Sequence, residues 1–173
     1  GESTNGDLGR GGRRRAILLD EFAAVSNGKE ILAATADAAP CRIFNSTPQG
    51  RGNATETVRG IREVLRIPLT VGGGVRTEAD AEALLKAGAD KVAVNTAAAI
   101  DPSFLSRLSQ RFGSQCTVLA LDAAELPQGG WELVIRSGRE RTGKDAVEWA
   151  REAERLGTGE IVLTSWDRDG TRS

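Results

Sequence analysis

The fold is decided by one glycine-rich stretch, Ile67-Pro68-Leu69-Thr70-Val71-Gly72-Gly73-Gly74-Val75. Its short apolar run ends in three glycines. Thr77, a residue suited to begin a helix, comes next, and a helical pattern then continues to Ala87. This order predicts a strand, a tight turn and a helix. Glycine at such a turn lets backbone N–H groups approach an anion, and a helix start adds partial positive charge. The glycines therefore either bind phosphate or simply make the turn, and this stretch alone favours neither.

Strand and helix patterns alternate along the chain. Short apolar runs predict strands at residues 16–19, 41–46, 69–71, 91–94, 117–121, 131–136 and 160–164, and a glycine-rich turn at 127–130 predicts a hairpin. Helical patterns cover residues 28–38, 55–66, 77–87, 102–112 and 144–156. Because most strands are continuous apolar runs separated by helices, we expect a parallel sheet covered by helices. The fold class is α/β, either a partial (β/α)8 TIM-type barrel or an open sheet.

Polar residues collect where the predicted strands end. They are Gly72–Gly74, Asn95-Thr96, Asp122, Thr164-Ser165 and the segment from Asp167 to Thr171. In barrels and in open α/β sheets, the carboxyl edge of the strands is where ligands bind. Every strand ends in a loop, so chance alone places one or two polar residues there. Four successive strands that end this way favour a shared site.

Composition narrows the chemistry. The 173 residues carry a net charge of −1, which gives no basic field for nucleic acid, and they include no histidine. A Ser-His-Asp triad and a histidine-ligated metal are therefore excluded, and acid–base work falls to Asp, Glu, Lys or Cys. No apolar run approaches the ~20 residues of a membrane span, and the first residues lack the apolar region of a signal peptide. Cys41 and Cys116 lie in apolar runs, which indicates buried, reduced thiols in a cytoplasmic protein.

Three stretches near the start form one pattern. They are Gly-Glu-Ser-Thr-Asn-Gly-Asp at 1–7, Leu-Leu-Asp-Glu-Phe-Ala at 18–23 and Asn-Ser-Thr-Pro-Gln-Gly at 45–50. With them, the chain up to about residue 53 resembles part of the ATPase domain of phage terminase large subunits. The resemblance implies that Asp20 and Glu21 are a remnant of the carboxylate pair that supports magnesium and polarises water. The chain has no Gly-x-x-x-x-Gly-Lys-[Ser/Thr] loop, so we expect no ATP hydrolysis. The alternative is two ordinary buried strands with polar ends.

A second set of motifs follows in order from about residue 54 to 173. They are Thr-Val-Gly-Gly-Gly at 70–74, Gly-Ala-Asp-Lys-Val at 88–92, Asn-Thr-Ala-Ala at 95–98, Phe-Gly-Ser-Gln at 112–115, Ala-Leu-Asp-Ala at 120–123, Ser-Gly at 137–138 and Leu-Thr-Ser-Trp-Asp-Arg-Asp-Gly-Thr at 163–171. This part of the chain resembles the cyclase subunit of imidazole glycerol phosphate synthase, a (β/α)8 barrel of histidine biosynthesis. The resemblance implies a lyase that converts a phosphorylated ribonucleotide and ammonia to imidazole glycerol phosphate, with no cofactor.

The resemblance also implies roles for particular residues. Asp122 matches one of two catalytic aspartates, placed for proton transfer. The other residues matched to substrate are phosphate ligands: Gly73, Gly74, Asn95 and Thr96 for one phosphate, and Asp169 and Gly170 for the second. A carboxylate beside two phosphate sites suits general acid–base work.

Three charged residues match positions that serve a glutaminase partner in that family. Lys91 and Glu160 match part of a charged ring that gates ammonia, and Asp90 matches a partner-facing position. The alternative for Lys91 and Glu160 is an ordinary salt bridge, and the sequence alone favours it.

The chain also departs from the family pattern. The strand that carries the other catalytic aspartate is not matched, and neither are the last two strands. We therefore expect a composite of two segments, 1–53 and 54–173, packed as one domain, that keeps phosphate binding with little or no turnover. Asp20 is a candidate replacement for the missing aspartate, and this point stays open. Open sheet edges favour homo-oligomers. The alternative functions are a terminase-like ATPase fragment and a non-catalytic chimeric scaffold.

Overall fold

The computed structural model describes residues 17–20, 42–45, 53–64 and 66–168 of the chain. Within them, the strands are β1 Ile17–Asp20, β2 Arg42–Asn45, β3 Leu69–Gly72, β4 Lys91–Val94, β5 Thr117–Glu125, β6 Trp131–Ile135, β7 Glu140–Asp145 and β8 Glu160–Ser165. The helices are α1 Asn53–Val64, α2 Glu78–Lys86, α3 Thr96–Ile100, α4 Ser103–Phe112 and α5 Ala146–Arg155. Glu21, Asp169, Gly170, Cys41 and the predicted helix at 28–38 lie outside the described residues.

The chain divides into two compact units, and the division falls within β4. One unit comprises the described residues up to Gly74 together with Ala79–Val92; the other comprises Val75–Glu78 and the described residues from Ala93 onward. The predicted boundary between residues 53 and 54 is a different division, which stays a prediction.

The first unit contains a parallel three-strand arrangement of β1, β2 and β3. Asp20 pairs with Asn45, and Asn45 pairs in turn with Gly72, so the carboxyl ends of the three strands are level. Val58 and Ile61 of α1 are buried, as are Ala81 and Leu84 of α2 and Leu69 of β3. The parallel pairing predicted from the apolar runs is confirmed for these strands.

The second unit is built around β5. Strand β8 runs parallel to β5, with Asp122 level with Thr164, whereas β6 runs antiparallel to β5 and β7 antiparallel to β6. The largest fully buried side chains of this unit are Trp149, Phe104, Leu105, Leu108, Leu119, Leu121 and Leu133. They come from α4, α5, β5 and β6, so these two helices and two strands share one core. The chain is therefore mixed α/β with mainly parallel pairing, as in part of a TIM-type barrel, and the antiparallel pair of β5 and β6 follows from the hairpin predicted at 127–130.

Two elements differ from the sequence prediction. Residues 144–156 were predicted as one helix, but Lys144 and Asp145 belong to β7, a strand whose polar sequence, Glu-Arg-Thr-Gly-Lys-Asp, gives no apolar signal. Helix α5 begins after Asp145, because the Asp145 carboxylate accepts hydrogen bonds from Val147 N (2.8 Å) and Glu148 N (2.9 Å). The five-residue α3 was not predicted at all.

Strand β5 extends four residues beyond its predicted end at Leu121. Its last four residues pair with β6 across the predicted hairpin, from Asp122 opposite Val134 to Glu125 opposite Trp131. Cys116 is a free thiol, as predicted, but it is half-exposed rather than buried, because it lies in a short 3-10 turn just before β5.

Candidate active site

Asp122 and Asn95 form the central contact of the candidate site. Asp122 lies on β5, and Asn95 follows the last residue of β4. The Asn95 Nδ2 donates a hydrogen bond of 2.8 Å to Asp122 Oδ2. Because an ionised carboxylate only accepts hydrogen bonds, this contact also determines which end of the Asn95 amide faces Asp122. Both side chains are half-buried.

The other end of the Asn95 amide has no partner within the described part of the chain. Its Oδ1 is buried and accepts no hydrogen bond from the described residues. A buried polar atom without a partner costs about 1–3 kcal/mol. Such an atom at the edge of a sheet therefore marks a place where a ligand group would be stabilised.

Thr96 is held by the turn between β6 and β7. The backbone N–H of Arg136 donates a hydrogen bond of 3.1 Å to Thr96 Oγ1. Arg136 and Ser137 have φ angles of 54° and 56°, in the left-handed region that side chains other than glycine rarely adopt. Each such residue costs about 1–2 kcal/mol, so the surrounding structure must stabilise this turn.

The same turn is covered by Trp166, which follows β8. A Cβ on Gly138 would overlap the indole ring, and Gly138 also has a left-handed φ of 71°. Glycine is therefore required at this position for two reasons. The neighbouring Asp167 carboxylate accepts a hydrogen bond from Glu125 N, which ties the segment after β8 to the end of β5.

Two hydroxyl residues of β8, Thr164 and Ser165, lie beside β5 close to Asp122. Thr164 is level with Asp122 and Ser165 with Ala123. Because level residues on neighbouring strands point to the same face of a sheet, the Thr164 side chain lies next to the Asp122 carboxylate. The Ser165 Oγ is buried and, within the part of the chain that the structure describes, has no hydrogen-bond partner.

Gly73 and Gly74 lie in the other unit, directly after β3. Their φ angles are 91° and 75°, so the turn adopts a conformation that favours glycine at both positions. Asp20, the last residue of β1, lies two strands away from β3 in the same parallel arrangement.

Asp90, predicted to face a partner, is held by its own unit. Its carboxylate accepts a hydrogen bond of 2.7 Å from Leu69 N and forms an ion pair with Arg62. The same guanidinium donates to Gly88 O (2.8 Å) and Ile67 O (3.3 Å). Sequence reasoning missed this local role, because Arg62 lies on α1, far from Asp90 along the chain.

The two residues predicted to gate ammonia begin strands. Lys91 is the first residue of β4 and is half-buried, whereas Glu160 is the first residue of β8 and is exposed. Glu160 is level with Val118 on β5, at the end of the strand opposite to Asp122. Each lies at the amino end of its strand, and the gating role stays a prediction.

The carboxylates with clearly shifted pKa values lie elsewhere and support the fold. Hydrogen bonds from the Gly143 N–H and from Arg141 lower the pKa of Glu132, which joins β6 to β7. The Arg107 guanidinium lowers the pKa of Glu78, and the Ser103 hydroxyl followed by Arg107 lowers that of Asp101. Among the described residues, no group of three or more acidic or cysteine side chains is arranged to hold a metal ion. None of their helices has the length and apolarity needed to cross a membrane.

The family model described as "Histidine biosynthesis protein" matches residues 43–173, and the chain belongs to that family. The match covers every candidate residue from Gly73 to Gly170 and includes eleven residues, 43–53, before the predicted boundary at 53/54. One curated relative is the imidazole glycerol phosphate synthase subunit HisF of Legionella pneumophila. It is 46% identical over 162 residues, an alignment that covers 91% of this chain and 76% of the relative. The histidine-biosynthesis resemblance is thereby confirmed, and the terminase resemblance stays a prediction.

Proposed function

We propose that this chain is a cyclase of the imidazole glycerol phosphate synthase type, a lyase that acts on a phosphorylated ribonucleotide and ammonia. The observation that carries the proposal is the Asp122 carboxylate near the carboxyl end of β5, held by the Asn95 amide. It stands in a chain that is 46% identical to a subunit of that name. A TIM-type arrangement of the strands belongs to the same proposal, since such barrels carry their catalytic residues at the carboxyl ends of strands.

Asp122 is the general acid–base group in this proposal. It takes a proton from the attacking nitrogen and returns one to the leaving group as the ring closes. A catalytic carboxylate works when it lies within about 2.6–3.2 Å of the proton it transfers. Asn95 holds one oxygen of Asp122, and Thr164 stands beside it, so the carboxylate meets substrate in a defined orientation.

Thr96 is the phosphate ligand that the contacts support best. Its Oγ1 accepts the Arg136 N–H, and a hydroxyl group also has one hydrogen to donate. That hydrogen is available to a phosphate oxygen. Gly73 and Gly74, as a further phosphate-binding turn, and Asp169 with Gly170, as the start of a second phosphate site, are part of the proposal.

A glutaminase subunit is the proposed source of ammonia. Lys91 and Glu160 belong to the proposed gate, and Asp90 to the proposed docking face, besides its bond to Arg62. The protein is proposed to act in the cytoplasm, where a soluble biosynthetic enzyme meets its substrates. We propose weak turnover for this chain, because the resemblance assigns one of two catalytic aspartates to Asp122 and no residue to the other.

The test is a titration with a phosphorylated ribonucleotide, followed by calorimetry, and an assay of turnover with ammonium chloride. Thr96→Val removes the hydroxyl and should weaken binding about tenfold, since a hydrogen bond to a charged group is worth ~1.5 kcal/mol or more. Asp122→Asn should bind like the unmodified chain and lose turnover. Gln110→Ala, an exposed amide on α4, is the matched control and should change neither quantity. Absence of saturable binding, or equal binding by Thr96→Val, would reject the proposal.

A further inference from the structure

The contact between Asn95 and Asp122 changes the role that Asn95 plays. We propose that the Asn95 side chain is a positioning residue for Asp122 and accepts an N–H or O–H from the reacting part of the ligand, rather than binding phosphate. This inference rests on the proposed function and refines it at the same site. It assigns different roles to two adjacent residues: Thr96 binds phosphate, whereas Asn95 positions Asp122 and contacts the reacting group of the ligand.

The first argument is the use of the Asn95 amide nitrogen. The Nδ2 donates one of its two N–H groups to Asp122 Oδ2 at 2.8 Å, so a phosphate bound at the other N–H would bring its negative charge next to a carboxylate of the same sign. An aspartate rotates readily about its terminal bond, because that torsion has broad minima. A donor on one carboxylate oxygen therefore selects which oxygen faces the ligand.

The second argument is the buried oxygen at the other end of the amide. Asn95 Oδ1 has no hydrogen-bond partner among residues 17–20, 42–45, 53–64 and 66–168. A phosphate monoester carries about −1.5 to −2 charges and offers mainly acceptor oxygens, so its approach to Oδ1 would place acceptor against acceptor. A donor relieves the cost of the unpaired oxygen. The ligand group that fits here is ammonia, an amine or a hydroxyl group of the ribonucleotide.

The third argument comes from the neighbouring residue. Thr96 Oγ1 receives the Arg136 N–H, which leaves the hydroxyl hydrogen to be donated. Asn95 thus presents an acceptor, and Thr96 presents a donor. Adjacent residues with opposite hydrogen-bonding character recognise two different parts of one ligand, an N–H or O–H group and an anionic oxygen.

Steady-state kinetics with the ribonucleotide and ammonium chloride test the division of roles. Asn95→Ala should lower kcat about tenfold and change KM less than threefold, as expected for a lost hydrogen bond to a charged group. Asn95→Asp keeps the shape but sets a carboxylate against Asp122, so its kcat should fall further than that of Asn95→Ala. Thr96→Val should instead act mainly on KM.

A double variant and a control complete the kinetic test. Asn95→Ala combined with Asp122→Asn should be slower than Asp122→Asn alone by clearly less than the tenfold loss of Asn95→Ala, because the positioning part of its role acts only through Asp122. Gln110→Ala should leave both parameters unchanged. A raised KM with unchanged kcat in Asn95→Ala, or additive losses in the double variant, would overturn the inference.

A second measurement does not need turnover. The Asn95 side-chain amide, observed by 15N-edited NMR, should have one proton shifted downfield by the carboxylate, and Asp122→Ala should remove that shift. Asp122→Asn keeps the shape of the side chain and weakens the acceptor, so it should reduce the downfield shift. This variant replaces Asp122→Ala if the latter does not fold. An Asn95 signal that neither variant changes would overturn the inference. Lack of turnover together with the expected NMR change would reject the proposed function and leave only the positioning of Asp122 by Asn95 supported.

Discussion

Asp90 has a local role and a proposed partner role, and a double-mutant cycle with Arg62 separates them. The Arg62 guanidinium donates to Gly88 O, Ile67 O and the Asp90 carboxylate, while Asp90 also accepts from Leu69 N. These contacts tie α1 to the segments before β3 and β4. Three variants are needed: Arg62→Ala, Asp90→Ala and the pair together.

The magnitude follows from the contacts and their exposure. Arg62→Ala loses two hydrogen bonds to backbone oxygens, each worth ~0.5–1.5 kcal/mol, and one ion pair. The side chains of Arg62 and Asp90 are 30% and 48% exposed, so solvent screening limits the ion pair to ~0.5–1 kcal/mol. We expect Arg62→Ala to cost about 2 kcal/mol, Asp90→Ala about 1.5 kcal/mol and the coupling between them to be ~0.5–1 kcal/mol.

The assay is urea unfolding followed by circular dichroism, supported by thermal melts. For a chain of this length, 2 kcal/mol corresponds to a decrease in Tm of ~4–8 °C. Lys86→Ala is the matched control, because it breaks an exposed ion pair with Glu82 on α2 and should cost well under 1 kcal/mol. Glutaminase binding is then measured on the folded variants.

Two results would contradict the local role of Asp90. One is a coupling free energy below ~0.3 kcal/mol, the size at which distant sites appear additive. The other is an Asp90→Ala variant that is as stable as the unmodified chain yet fails to bind the glutaminase. A loss of stability with unchanged partner binding would instead remove Asp90 from the proposed docking face.

Two further predictions concern the hairpin and the pH dependence. Gly138→Ala should lower the Tm more than Gly143→Ala. Both glycines have φ near 71–72°, but of the two only a Cβ on Gly138 would meet the Trp166 ring. Unfolding is followed by Trp fluorescence, and equal losses of stability of ~1 kcal/mol in the two variants would show that backbone strain alone matters. The Arg107 contacts lower the folded-state pKa of Glu78, and the Ser103 hydroxyl followed by Arg107 lowers that of Asp101. The stabilisation by these contacts is therefore present above the usual values of 4.5 and 3.8 and is lost as pH falls below them. Arg107→Gln should therefore lower the Tm at pH 7 and flatten its decline below pH 4.5, whereas Arg151→Gln, which breaks an exposed pair with Glu148, should leave the decline unchanged.

The elements that the sequence predicted best are bounded by clear local signals. Strand β4 begins and ends as predicted, because its apolar run lies between Asp90 and Asn95. Strand β7 was missed, since its polar residues form a strand only through pairing with β6. Helix α3 was missed because five residues are too few for a helical period to be recognised.

The candidate site was predictable in position but not in its contacts. A carboxylate near the end of an apolar strand identified Asp122, and the same rule identified Asn95. Their hydrogen bond depends on side-chain torsions and on the relative position of two strand ends, neither of which is written in a spacing pattern. Thr96 illustrates the same limit, because its partner Arg136 lies beyond an entire helix and two strands.

Backbone strain and the candidate site coincide at the β6–β7 turn. Among the described residues, Arg136 and Ser137 are the non-glycine positions with positive φ, and Arg136 is the one whose N–H holds Thr96. A strained conformation persists only where its surroundings stabilise it, which Trp166 does by covering Gly138. The turn therefore links the segment after β8 to the proposed phosphate ligand after β4. A change at Trp166 is therefore expected to alter the position of Thr96 through this turn, so the turn couples the segment after β8 to the proposed phosphate ligand.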